Sequence, residues 1–258
     1  MANDYFVGTF LPPLSFETRP EISLAALDVL LRDQLTTTDY EKTGVIRQFY
    51  DILNLRALWL DQELDPQGEL NGLELSEALV SRSGLPDDVY EFIDRYPKKE
   101  DCIRHFPYLL ATFFQRGQHI KDPLLRRYFC FERELRLVMT AFRAHQLGRD
   151  LKVELQYEDP EEEWIAQLLA QQGAKIYEPP ETYKEIKTLF ETSSNNPLAL
   201  QKAIDHYRFE KIEDFVDMGD IFSIKRILAY FIQLMIVEKW FELDKEKGMR
   251  IVETIVRL

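Results

Sequence analysis

The sequence predicts an all-α protein, a multi-lobed helical bundle with a short extended segment at its N-terminus. Three observations carry this. Glycine is scarce, 10 in 258 residues, too few for a sheet with many tight turns. Apolar residues recur at three- and four-residue spacing through most of the chain. No alternating pattern long enough to build a sheet interrupts them.

Residues 5–16 read as an extended lead, because Pro12 and Pro13 oppose a helix and favour extended backbone. Ser23 opens a helix to about Leu35, and Asp39 can cap a longer one that places Ile46, Phe49, Leu53 and Leu60 on one side. Asp65-Pro-Gln-Gly68 is a turn. Short helices follow near Leu73–Val80 and from Asp87 to the residue before Pro97, then one over Phe106–Gln115. Asp122 can N-cap the next helix, Pro123 fits its first position, and Gly148 can close it. In that helix Leu124, Tyr128, Phe131, Leu135, Val138 and Phe142 fall within an arc of roughly 80°. A further helix runs from Asp159 to near Gly173, with breaks at Tyr177–Pro180 and Ser193–Pro197. Helices over Leu198–Lys211 and Ile221–Lys245 follow, and Gly248 separates off a final piece, Met249–Arg257. Ile221–Phe241 is apolar almost all round and should be a central buried helix. The breaks suggest lobes at 1–100, 101–158 and 159–258.

The charge is uneven. Residues 1–100 hold 9 Lys/Arg against 19 Asp/Glu, residues 101–149 hold 9 against 4, and residues 150–258 hold 14 against 22. The net charge of −13 disfavours nucleic acid as a partner. A cationic middle between anionic flanks calls for internal pairing or an acidic partner. Arg126, Arg127, Arg133, Arg136 and Arg143 lie off the apolar stripe of their helix. They are the candidate partner-binding residues, weighed against an ordinary salt-bridged helix face. The longest apolar run, Ile227–Val237, is too short for a bilayer, which needs ~20 residues. The N-terminus lacks the basic region of a secretory signal. A soluble, cytoplasmic protein is expected, in a reducing compartment, since Cys102 and Cys130 form neither a metal knuckle nor a disulfide framework.

No catalytic, cofactor-binding or metal-binding set is expected. Asp87-Asp88-Val-Tyr-Glu91 imitates the paired carboxylates with which all-helical isoprenoid synthases hold magnesium diphosphate. Its only candidate facing cluster is Asp217–Asp220, and acidic residues also suit a helix N-terminus. Asp61–Gly72 fails as a calcium loop, with Pro66 at the glycine position and Gly72 at the acidic one. His105, His119, His145 and His206 match no metal spacing. Neither a serine elbow nor a P-loop occurs. The two thiols are expected in the core.

Three segments carry a resemblance: Tyr5–Phe16, Tyr50–Leu58, and Asp122–Gly148 with Phe131-Glu-Arg-Glu-Leu-Arg136 inside it. Together and in order they resemble a bacterial family of poorly characterised proteins encoded with V-type ATP synthase. More distantly they resemble the central-stalk C subunit of A/V-type ATP synthases, known as the d subunit in the eukaryotic pump. Asp51-Ile-Leu-Asn-Leu-Arg56 and Glu132-Arg-Glu-Leu-Arg136 look like that family's acidic-then-Leu-Arg patterns, and Ala229–Glu238 resembles its late helix. Lys239-Trp240 departs from that helix, and the chain is short for the family. The resemblance implies a funnel-like, non-catalytic part coupling the rotor ring to the central axle. It would be peripheral at the inner membrane through the complex. The alternatives are a soluble helical adaptor for another protein and an all-helical magnesium–diphosphate enzyme using Asp87, Asp88 and Glu91.

Overall fold

The computed structural model describes the backbone of residues 2–174, 176–193, 196–217 and 223–256, and the side chains of these apart from 2–5 and 243–256. The chain is 71% helical, with no strand among the described residues. It divides into two compact units, residues 1–47 with 205–258 and residues 48–204. Neither limit coincides with the lobe limits at 100 and 158 read from the sequence.

In the first unit lie α1 (Ala2–Phe10), α2 (Leu24–Gln34) and α12 (Ile224–Val256), which pack against one another pairwise. The start of α3 (Thr37–Trp59) and the end of α11 (Pro197–Glu213) also belong to it, the division falling inside both helices. Ser23 caps α2 by accepting from the Ala26 amide at 3.2 Å. The core of the unit is α12. Ile227 to Val237 is buried without interruption, and Trp240 is buried beyond it. A helix apolar on every face must lie inside its unit, so the expectation holds for its described part. Ile221 and Phe222 lie outside the described residues. Two buried polar groups on α12 are matched: Trp240 Nε1 donates to Asp205 Oδ2 at 3.1 Å, and Gln233 Nε2 donates to the Phe209 carbonyl at 3.1 Å.

The second unit holds the rest of α3, then α4 (Gly72–Ser81), α5 (Asp87–Arg95), α6 (Lys99–Gly117), α7 (Pro123–Leu147), α8 (Leu151–Glu154), α9 (Glu163–Ala170), a 3-10 turn at Glu181–Tyr183, α10 (Lys184–Ser193) and the start of α11. Its axis is the α6–α7 pair. Asp122 accepts from the Leu124 and Leu125 amides at 3.0 and 3.2 Å, Pro123 stands at the first position, and Gly148 ends α7 at φ +62°. The stripe from Leu124 to Val138 is buried as expected. At Gly117 α6 and α7 approach closely, since a Cβ there would sit 2.9 Å from the Cβ of Phe129.

Three expectations are corrected. Tyr5–Phe10 is helical, so the extended lead shrinks to residues 11–15. Pro12 restricts only the residue before it and removes only its own donor, which leaves a helix ending at Phe10 free to form. α6 begins at Lys99 and runs through Pro107. The buried faces of Phe106, Leu109, Phe113 and Phe114 offset the bond a proline forfeits, because packing more than propensity holds such helices. Finally, α12 continues through Gly248 to Val256, a glycine costing a helix only ~1 kcal/mol.

Candidate functional site

The five arginines of α7 do not form one solvent face. Arg126, Arg127 and Arg143 are exposed. Arg133 is buried, its side chain 3% exposed, and lies against the segment between α8 and α9. Its Nε and Nη2 donate to Glu158 Oε2 at 3.1 and 2.7 Å, and its Nη1 and Nη2 donate to Glu162 Oε1 and Oε2 at 2.8 and 2.7 Å. Arg136 donates to the other Glu158 oxygen at 2.5 Å and lies over the Phe114 ring at 5.3 Å. Burial alone would lower the Arg133 pKa, but the hydrogen bonds to Glu162 and Glu158 outweigh it and hold the guanidinium above its ordinary range. For Arg136 desolvation prevails over the attraction of Glu158, and the pKa lies below the ordinary value. Arg133 and Arg136 are thus tied into ion pairs within the chain. The cationic middle of the chain is matched in part by its own acidic flank.

The segment around Asp51 has an equally structural role. Asp51 and Asn54 are buried polar residues on α3. Asn54 Nδ2 donates to the Asp65 carbonyl at 2.9 Å, and the Asp65 amide donates back to Asn54 Oδ1 at 2.8 Å. The Leu70 amide donates to Asp51 Oδ1 at 3.0 Å. Together they clamp the turn at Asp65–Gly68, and a Cβ on Gly68 would lie 2.6 Å from Asp51 Oδ1. The acidic residue and the Asn of Asp51-Ile-Leu-Asn54 bind backbone, while Arg56 is exposed.

The remaining candidates take ordinary places. Asp87 and Asp88 stand in the first turn of α5, as acidic residues at a helix N-terminus should. Asp88 pairs with Arg116 at 2.8 Å, while Asp87 and Glu91 are exposed. Residues 218–220 of the facing candidate lie outside the described residues. Among the described residues no group of three or more His, Cys, Asp or Glu side chains is placed to share a metal ion. Cys102 is buried and donates to the Tyr96 carbonyl at 2.9 Å. Burial pushes both thiols up, which lowers their thiolate fraction and reactivity. His105 shares a 2.7 Å hydrogen bond with the Tyr157 hydroxyl and stacks on Tyr96. His145 lies 2.8 Å from the Ala174 carbonyl, and His206 packs edge-on to Phe16. His119 is exposed.

The feature that the sequence reading missed is an exposed apolar surface on the first unit. Phe6 and Phe10, one turn apart on α1, stack with ring centroids 6.2 Å apart and stand 50% and 58% exposed. Val29 on α2 is 59% exposed. Phe10, Ile22, Val29 and Leu30 line an open cleft of about 520 Å³ edged by Glu21 and Asp33. A second cleft of about 590 Å³ shares Glu21, Ile22 and Ala26 with the first and extends to Glu238, Phe241 and Glu242 on α12. The signal was present in the i, i+4 spacing of Phe6 and Phe10. It was hidden by reading the segment as extended.

Comparison with known proteins gives relatives throughout the length of the chain. A protein of Chlamydia pneumoniae is 28% identical over 261 residues, covering 99% of this chain and 98% of its own. One from Chlamydia trachomatis serovar D is 26% identical over 258 residues, covering 95% of each. One from Chlamydia muridarum is 24% identical, covering 96% of this chain and 95% of its own. All three are described as uncharacterized proteins. No solved structure matches the chain. The model of one family, protein of unknown function (DUF2764), matches residues 1–258, and the chain belongs to that family.

Proposed function

We propose that the chain is a non-catalytic helical binding subunit of a V-type ATP synthase, a part like the central-stalk C subunit, set between the rotor ring and the central axle. The observation that carries the binding role is the exposed apolar surface of Phe6, Phe10 and Val29. A contiguous apolar patch edged by charge marks an interaction site more often than scattered surface apolar residues do. Apolar area at the centre of such a contact supplies affinity, and charges at its rim orient it. What supports the particular assembly is the ordered resemblance of Tyr5–Phe16, Tyr50–Leu58 and Asp122–Gly148.

A coupling part needs rigid helices and formed surfaces. The buried Arg133–Glu158–Glu162 network and the Asp51–Asn54 clamp supply rigidity in the second unit. Arg126, Arg127 and Arg143 remain exposed on that unit for the charged part of a contact. The protein works without a cofactor, in the cytoplasm, peripheral to the membrane through its complex. No described helix is long and apolar enough to cross a membrane.

The same surface would serve an adaptor of another assembly. Affinity purification of the tagged chain from cells that express the whole ATP synthase separates the two readings. Recovery of axle or ring subunits is expected, and consistent recovery of an unrelated partner in their place would favour the adaptor.

A further inference from the structure

The two clefts of the first unit differ from a plain apolar patch in the sign of their edge. Along the first stand Glu21 and Asp33, and along the second Glu21, Glu238 and Glu242, with Arg19 the single cation among their lining residues. The unit itself carries 13 Lys/Arg against 18 Asp/Glu. Glu238 is half-buried, and its Oε2 accepts from the Leu24 amide at 3.0 Å. Desolvation first, and then the neighbouring Glu242 charge, push its pKa up against the Leu24 hydrogen bond and Arg19. An anionic group in that position gains from any cation brought beside it.

We infer that the joined clefts are a docking groove for a basic amphipathic helix of a protein partner, its apolar face on Phe10, Ile22, Val29 and Phe241 and its Lys or Arg side chains over Glu21, Glu238 and Glu242. The observation that selects this occupant is charge complementarity. An acidic helix or an anionic membrane would meet like charge at nearly every polar edge position, and like-charge contacts are costly. A second copy of this chain would bring a net-acidic surface to an acidic groove. An amphipathic helix supplies apolar residues at i, i+3, i+4 and i+7, and a basic one supplies cations on both sides of that stripe. This inference rests on the binding role proposed above and names the partner's chemistry.

The test uses the full chain and two 18-residue peptides of identical leucine pattern, one with Lys and one with Glu at the polar positions. Each would span roughly 27 Å as a helix. Fluorescence anisotropy should give saturable binding of the lysine peptide only. Val29→Glu should abolish it, and Glu242→Lys should weaken it about tenfold at low salt, the equivalent of ~1.4 kcal/mol. Both positions are exposed, so neither variant puts folding at risk, and circular dichroism checks this. Equal binding of the two peptides would overturn the inference, as would binding of neither. So would dimerisation of the free chain that Val29→Glu abolishes, which assigns the groove to a second copy, or comparable binding to phosphatidylglycerol vesicles. If the tagged chain recovers ATP synthase subunits while no peptide binds, this inference alone fails. If the lysine peptide binds and no axle or ring subunit is recovered, the assembly reading fails and the groove stands.

Discussion

Replacing Arg133 with methionine tests how the second unit is held together. The substitution keeps an unbranched stem but removes four hydrogen bonds, two to Glu158 and two to Glu162. The two carboxylates lose different amounts. Glu162 is 36% exposed and can turn to water. Glu158, 3% exposed, cannot, but it keeps Arg136 at 2.5 Å. Removing one member of a buried ion pair costs ~3–5 kcal/mol when the survivor is left uncompensated. The surviving Arg136 contact places Arg133→Met at the lower end, about 3 kcal/mol. Arg133→Met with Glu158→Gln removes both deeply buried charges, and the glutamine oxygen can still accept from Arg136, whose side chain is 25% exposed, so no buried ion is left without a partner. The double variant should therefore be more stable than the single one, with a coupling of about 1–3 kcal/mol. Urea unfolding followed by circular dichroism at 222 nm, compared at constant slope, gives both numbers. A single-variant loss under about 1 kcal/mol, or strictly additive losses, would refute a network that constrains the fold.

Other expected outcomes concern the turn, the core and pH. Gly68→Ala should cost about 1–3 kcal/mol, because its Cβ would lie 2.6 Å from Asp51 Oδ1 and 2.7 Å from Asn54 Nδ2; a neutral result would mean the clamp gives way without loss. Phe231→Ala empties a fully buried site on α12 and should cost roughly 3–5 kcal/mol in thermal or urea melts; a loss below about 1 kcal/mol would contradict its central place. Glu134→Gln tests linkage. Desolvation holds the Glu134 pKa above its ordinary 4.5, against the Tyr183 hydrogen bond at 2.9 Å. The folded state then binds this proton more tightly than the unfolded state, so stability falls as pH rises from 4.5 through the raised value. Glutamine can still accept from Tyr183, so the variant should gain on the wild type as pH rises above 4.5; losing ground as pH rises would reverse the sign.

The parts of this fold legible in the sequence were those set by local chemistry. Asp122, Pro123 and Gly148 marked both ends of α7 because capping acts within a few residues. The uninterrupted apolar run at Ile227–Val237 identified the buried helix because only an interior accepts every face. What periodicity could not resolve was position along a helix. Arg126 and Arg133 project within ~20° of each other around α7, yet one is exposed and the other enclosed, because Glu158 and Glu162 cover only the middle of the helix. Long-range pairing of this kind has no local signature beyond the acidic run that supplies it. Asp87 and Asp88 stand in the first turn of α5, a placement their charge predicts because the effect of a helix end is local too. The Phe6, Phe10 and Val29 surface escaped because the segment holding two of its aromatic rings was given the wrong backbone. Its other residues come from a separate helix, and only folding assembles them.

The central claim is that this chain binds within a V-type ATP synthase through its apolar first-unit surface. The most direct measurement is quantitative affinity purification of tagged wild type and tagged Val29→Glu from cells expressing the complete enzyme. Central-axle or rotor-ring subunits should be recovered with the wild type. They should be largely lost with Val29→Glu, while the variant's circular dichroism spectrum is unchanged. The apolar centre of the contact should keep part of the recovery at raised salt, while its charged edge weakens, because salt screens exposed charge pairs beyond a Debye length of ~8 Å at physiological ionic strength. Wild type that brings down no axle or ring subunit at any salt concentration would contradict the account.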